Sequence, residues 1–213
     1  MIITGVRARR GAVALIAALL GCAGAPPPEV VYYDLVGPGE RTAPAAGGRG
    51  VLVIERFDAA APYDGDALTL RTAPLRLETY HYHRLASSVP DQVSELLAAE
   101  WRGSGRFAHV EVDGGSIDAG LSVGGRIVVF EELALPGETP VAHVVVAITA
   151  RTVTGDVVLR QTFERRETMP GRDAGALVEA FRSALRAIAA EALPALETAL
   201  RQAAADDAEL GDR

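Results

Sequence analysis

Hydrophobic residues recur along this chain with two periods, and the switching between them predicts the elements. Residues 51–57 run Val-Leu-Val-Ile-Glu-Arg-Phe between turn residues, which reads as a buried strand. Residues 68–71 and 75–83 are two further strands, separated at Thr72 to Pro74 by a turn or bulge. Ser88 then opens a helix, with Pro90 in the first turn and Asp91 three residues after the cap. Val89, Val93, Leu96, Leu97 and Trp101 fall at helical spacing, and Gly103 and Gly105 stop the helix. Residues 107–112 form the next strand. Three long strands follow at 121–135, 141–153 and 157–168, with Pro136-Gly137 and Thr154-Gly155-Asp156 between them, the pattern of an antiparallel meander. In the last of these, Val157, Leu159 and Phe163 share one face while Arg160, Glu164 and Arg166 share the other, so one side is packed and one is wet. Asp173 caps a final helix whose stripe is Leu177, Phe181, Leu185, Ile188, Leu196 and Leu200, and Pro194 should kink or split it. The order strands, helix, strands, helix predicts an α+β domain: a mostly antiparallel sheet with two helices packed on one face.

The N-terminus departs from this pattern. Arg7, Arg9 and Arg10 precede a ten-residue apolar run at 11–20, then Gly21 and Cys22. A basic segment, a short apolar stretch and a small residue before the cut describe a secretory leader. The run falls short of the ~20 apolar residues that a spanning helix needs. The chain's one cysteine stands where cleavage should fall, in the order Leu19-Leu20-Gly21-Cys22, which resembles a bacterial lipobox. Cys22 is therefore the expected lipidation site and the first residue of the mature chain, carried on acyl chains that hold it to a membrane. Ala23 after the Cys, rather than Asp, points to the outer membrane. Residues 22–50 are rich in Pro, Gly and Ala and read as a tether reaching at most roughly 90 Å at ~3.3 Å per residue. The Val30 to Leu35 island in it has the makings of a short edge strand. The expected organisation is a leader at 1–21, lipidated Cys and tether at 22–50, a folded body at 51–202 and an acidic, disordered tail at 203–213.

Composition narrows the chemistry. The chain has 213 residues, 21 basic against 28 acidic, a formal net charge of -7 and one Cys. This balance argues against nucleic acid as a partner. Every basic residue is Arg, so Schiff-base, P-loop and kinase-type lysine chemistry is excluded, and one Cys excludes cysteine-rich zinc and iron–sulfur sites.

The remaining candidates each have a plain alternative. His81 and His83 lie two apart on a strand and chelate zinc only if a third ligand, such as Glu78 or Glu55, arrives; a polar strand end beside Tyr80 and Tyr82 is the favoured reading. Gly114-Gly115-Ser116 lacks the second glycine of a nucleophile elbow and reads as a turn. His109 and His143 sit on strands without a partner in reach. The three glycines of 120–125 lie within a strand with no helix after them, a bulge rather than a phosphate cradle. Glu131, Glu132 and Glu138, like the mixed-sign run 164–167, read as solvated faces. No catalytic residue, metal or cofactor is expected. For contact with a partner the candidates are Tyr32 and Tyr33 beside the tether, and Arg151, Arg160 and Arg166 on the wet sheet face, suited to an acidic surface.

Taken in order, several segments resemble the ABC-type transport auxiliary lipoprotein family. They are the lipobox with prolines at 26–28, Tyr32-Tyr33-Asp34-Leu35, the strand at 51–57 with Tyr63 downstream, Leu68-Thr69-Leu70-Arg71, Leu77, Tyr80, Tyr82-His83-Arg84, Pro90, and the stretch from Trp101 to Phe107. Leu85-Ala86 stands where members often carry Trp-Ala. The resemblance implies a non-enzymatic, periplasm-facing lipoprotein, a scaffolding or docking subunit of an MCE-type lipid transport system. Its implied partners are the MCE protein that bridges the periplasm and the inner-membrane ABC permease and ATPase, with homo-oligomerisation left open. The alternative is an adaptor or activator of another envelope machine, such as a peptidoglycan synthase or an outer-membrane assembly complex.

Overall fold

The computed structural model describes residues 28–41, 48–113 and 120–211, with side chains to Ala203. Cys22 and Ser116 lie outside the described residues. The elements run β1 (Val31–Tyr33), α1 (Pro38–Arg41), β2 (Val51–Ile54), β3 (Asp58–Ala59), a 3-10 turn (Ala61–Tyr63), β4 (Ala67–Ala73), β5 (Arg76–Leu85), α2 (Val89–Gly103), β6 (His109–Val112), β7 (Leu121–Leu133), β8 (Val141–Arg151), β9 (Val157–Thr168) and α3 (Ala174–Gly211).

The nine strands form one sheet with β7 as its spine. Along one edge of β7 lie β2, β3 and β4, end to end, at Leu121–Val123, Arg126–Ile127 and Glu132–Leu133. The other edge pairs along its whole length with β8, which pairs with β9. The wings are completed by β6 beside β2 and by β5 and β1 beyond β4.

The α+β class and the helix-covered face match the sequence expectation, and the longest ladders are antiparallel as expected, although short parallel ladders make the sheet mixed. The long ladders β4–β5, β7–β8 and β8–β9 are antiparallel; the short ones that β2, β3 and β4 make with β7, with β2–β6 and β1–β5, are parallel. Tight turns force antiparallel pairing, whereas α2 and the longer connections return the chain in the same direction.

One face of this sheet is the core. Along β8, Ala142, Val144, Val146, Ile148 and Ala150 are fully buried at every second position. They meet the stripe of α3, in which Leu177, Phe181, Leu185, Ile188 and Leu196 are fully buried and Phe181 stacks on Phe130 of β7 at 3.9 Å. Asp173 caps α3 by accepting from the Ala176 N–H at 2.8 Å. The helix is not split at Pro194.

The α2 helix starts as its sequence dictates: the Ser88 hydroxyl accepts from the Asp91 N–H and donates to the Asp91 carboxylate at 2.6 Å. It closes the core with Trp101, whose indole N–H donates to the Ala189 carbonyl of α3 at 3.0 Å. Glu40 of α1 bridges Arg182 and Arg186 of α3, and Arg186 also reaches Glu100 of α2 at 2.8 Å. Burial pushes the Glu40 carboxyl up, but the Gly37 N–H and the two guanidinium groups outweigh it and hold it below the ordinary range.

Part of the segment expected as tether is folded. Leu35 and Val36 are fully buried, and the Leu35 N–H donates to Gln92 Oε1 of α2 at 2.8 Å.

Truncation of Trp101 to Ala removes the largest fully buried side chain and should cost about 3–5 kcal/mol. Urea unfolding should show a lower midpoint with an unchanged slope.

The Ser88 hydroxyl, and then Arg56, which donates to the Asp91 carboxylate at 2.5 Å, hold that carboxyl below its ordinary value of 3.8. A lowered folded pKa stabilises above the unfolded value and is lost as pH falls through the folded one. Asp91→Asn should therefore weaken the fold at neutral pH, and its deficit against the native chain should close in thermal scans taken below about pH 4.

Candidate docking surfaces

The two tyrosines beside the tether have different environments. Tyr32 is exposed on β1, as is Tyr82 on β5, while Tyr33 turns in and its hydroxyl bonds His83 Nδ1 at 3.0 Å. Tyr80 approaches His83 edge-on, with ring centres 6.0 Å apart, and donates to Glu132 at 2.5 Å. His81 is exposed and lies 6.3 Å from the Tyr82 ring. The β4–β5 register slips between Thr79 and Arg84, bending β5 under these residues. Of the acids considered as a third zinc ligand, Glu78 is held by Thr72 and Arg76, and Glu55 lies against Gly124 of β7. Among the described residues no three His, Cys, Asp or Glu side chains gather as a metal site.

The uncovered sheet face carries the arginines in rows set by the ladders. Arg151 and Arg160 lie at the β8–β9 turn end, Arg160 opposite Thr149 and Arg151 opposite Val157. Arg126 of β7, not singled out from sequence, borders a cleft of about 260 Å³ with Arg151, Glu55 and Asp58. Arg166 stands apart, six residues along β9 from Arg160 and so about 20 Å away. It is opposite His143 and paired with Glu164 at 3.0 Å. The Glu164 carboxyl also accepts from His143, at 2.9 Å, and that bond, then Arg166, holds it below its ordinary range.

Gly124 and Gly125 remain in the ladder, and the bulge falls at Val128 instead. At Gly125 a Cβ would sit 2.0 Å from the Ala147 carbonyl oxygen and 2.7 Å from Phe57, so no side chain fits between those strands. His109 is exposed at the start of β6.

Glu131 and Glu132 are not solvated: they are 2% and 6% exposed. The β4–β5 wing and the 3-10 turn cover the end of β7 and supply the partners that make burial tolerable. Arg71 of β4 grips Glu131 with two N–H groups, at 2.5 and 2.9 Å, and the Tyr63 hydroxyl donates to the same carboxylate. Burial first, and then Glu131, push the Tyr63 hydroxyl up to about 12.

With this arrangement in view, the comparisons decide the family. The model of the ABC-type transport auxiliary lipoprotein component matches residues 33–192. The chain belongs to this family. A crystal structure of a Xanthomonas campestris protein of the DUF330 family shares its fold, with TM-score 0.63 at 20% identity over 82% of this chain and 95% of that one. A second crystal structure, of an uncharacterized protein, gives TM-score 0.62 at 13% identity over 77% and 96%. A PelC dodecamer from Paraburkholderia phytofirmans is more distant, with TM-score 0.44 at 15% identity over 69% and 91%. No curated protein matches. An auxiliary lipoprotein of a transport system faces the periplasm from a membrane, and no described helix here is long and apolar enough to cross one.

In this family member the raised Tyr63 value has a sign that can be checked. Its folded hydroxyl keeps its proton above the ordinary value of 10.0, so its contribution is complete below about pH 10 and is lost as pH rises through 12. Tyr63→Phe should flatten the alkaline limb of the stability profile relative to the native chain, as read by thermal melts between those values.

Proposed function

We propose that the protein is a lipid-anchored, non-catalytic docking subunit of an MCE-type ABC lipid transport system. The observation that carries this reading is the family match over the folded body, joined to a leader that ends at the chain's one cysteine. Acylation of Cys22 supplies the membrane attachment, and Ala23 directs the lipoprotein to the outer membrane. The body then meets the periplasm-bridging MCE protein. Anchoring turns a search through volume into a search over a surface and raises effective concentration.

Two surfaces are offered to that partner. Tyr32 and Tyr82 present aromatic area at the β1 edge, with Tyr33 fixed behind them by His83. On the uncovered sheet face Arg151 and Arg160, with Arg126, meet acidic side chains, and Arg166 extends the surface along β9. Arg165 on the helix-covered side of that strand is paired with Glu191 of α3 and is not part of it.

Gentle detergent extraction of tagged protein should recover an MCE protein with its permease and ATPase. Recovery of wall synthases or an outer-membrane assembly complex instead would contradict the reading and favour the adaptor role. In the recovered complex, Arg151→Glu with Arg160→Glu should weaken association roughly tenfold or more with little change in the melting midpoint of the free protein. Unchanged association would remove the arginine face from the docking surface.

A further inference from the structure

The β4–β5 hairpin ends in a two-residue turn, Pro74-Leu75, whose leucine is 100% exposed. Leu77, two residues on, is 38% exposed. The turn is a braced feature. Arg71, already fixed on buried Glu131, reaches out to the Pro74 carbonyl at 3.2 Å, and Glu78 holds both Thr72 and Arg76. The hairpin also overhangs the sheet: β7 ends at Leu133 opposite Arg71, and Thr72 to Arg76 continue past it. A rigid scaffold thus carries one large apolar side chain into solvent.

The direction of the chain says what that side chain faces. Strand β1 runs parallel to β5, with Val31 beside His83. Followed backwards from Val31, the chain leaves toward the start of β5, which is the hairpin tip. Cys22 lies nine residues before Val31 and so within about 30 Å of it, whatever path the chain takes. The tip lies eight residues before His83, but β5 is bulged there, and the hairpin is spanned by β4 from Ala67 to Ala73, about 20 Å at ~3.3 Å per residue. A nine-residue span is thus long enough for tip and anchor to meet one membrane plane, while the β8–β9 turn, with exposed Val153, lies at the opposite end of the sheet.

We propose that the Leu75 tip inserts into the bilayer that holds the anchor and sets the body upright on the membrane. The inference rests on acylation at Cys22. A bilayer suits the tip better than a protein partner, because a stable protein interface needs about 800 Å² from each side and one protruding leucine supplies little of that. A lipid surface accepts a single apolar side chain as a second, weak signal beside a strong one. The tip thereby fixes which end of the sheet points away from the membrane, toward the transport machinery.

The test uses the mature acylated protein in vesicles of phosphatidylethanolamine and phosphatidylglycerol. Leu75→Cys takes a small environment-sensitive fluorophore at position 75, since the Cys22 sulfur is occupied by lipid; Val153→Cys carries the same label as control. Position 75 should emit at shorter wavelength and be quenched by lipid-borne nitroxide several-fold more than position 153. Vesicle-bound protein with both labels equally wet overturns the insertion while leaving the anchor intact. Shielding of position 75 only after a purified partner protein is added overturns it in favour of protein docking. Protein that fails to float with the vesicles overturns the anchor and the insertion together.

Discussion

Burial of the α3 stripe against β7, β8 and β9 is the constraint on which the rest of the molecule depends. The five fully buried positions on β8 interlock with the fully buried stripe of α3, and Phe181 of that stripe stacks on Phe130 of β7. Large side chains of this kind contribute about 1.5–3 kcal/mol each when fully buried. Because β7 is both part of that packed face and the spine of the sheet, everything else is hung from it: β2, β3 and β4 on one edge, β8 on the other. With one sheet face consumed by helices, the other face, the strand edges and the turns are what the described residues leave open. The arginines, the exposed tyrosines and the Leu75 hairpin occupy those three places.

The buried acids show how the periphery is tied to this core. Glu131 and Glu132 leave β7 for opposite faces of the sheet end, and each is satisfied by a tyrosine, with Arg71 added at Glu131. An unpaired carboxylate there would be costly to bury, so the β4–β5 wing is bound to the spine by chemistry as well as by packing. The same Arg71 braces the hairpin turn, which makes the position of the tip a consequence of the buried cluster.

Much of the architecture was legible because its periods are local. The helices at Ser88 and Asp173 follow from caps and apolar spacing, and the β7–β9 meander follows from its turn residues. The parallel pairings were not legible, since they depend on where α2 and the loops return the chain, which no local pattern encodes. Glu131 and Glu132 look like surface acids in sequence; their partners Tyr63, Arg71 and Tyr80 lie 50 to 70 residues away. The arginine surface was half legible. Alternation put Arg160 and Arg166 on one face, but only the ladders show that Arg126 joins Arg151 and that Arg166 is far off and paired. In sequence Leu75 reads as the start of a strand, and its full exposure emerges only with the turn at Pro74-Leu75.

The proposed roles of these surfaces all depend on the proposed attachment at Cys22. Intact and N-terminal peptide mass analysis of the protein extracted from its native envelope tests that directly. The account predicts a mature chain beginning at Cys22, with a thioether-linked diacylglycerol on its sulfur. A chain cut elsewhere, or an unmodified thiol at Cys22 in mature protein, would contradict it.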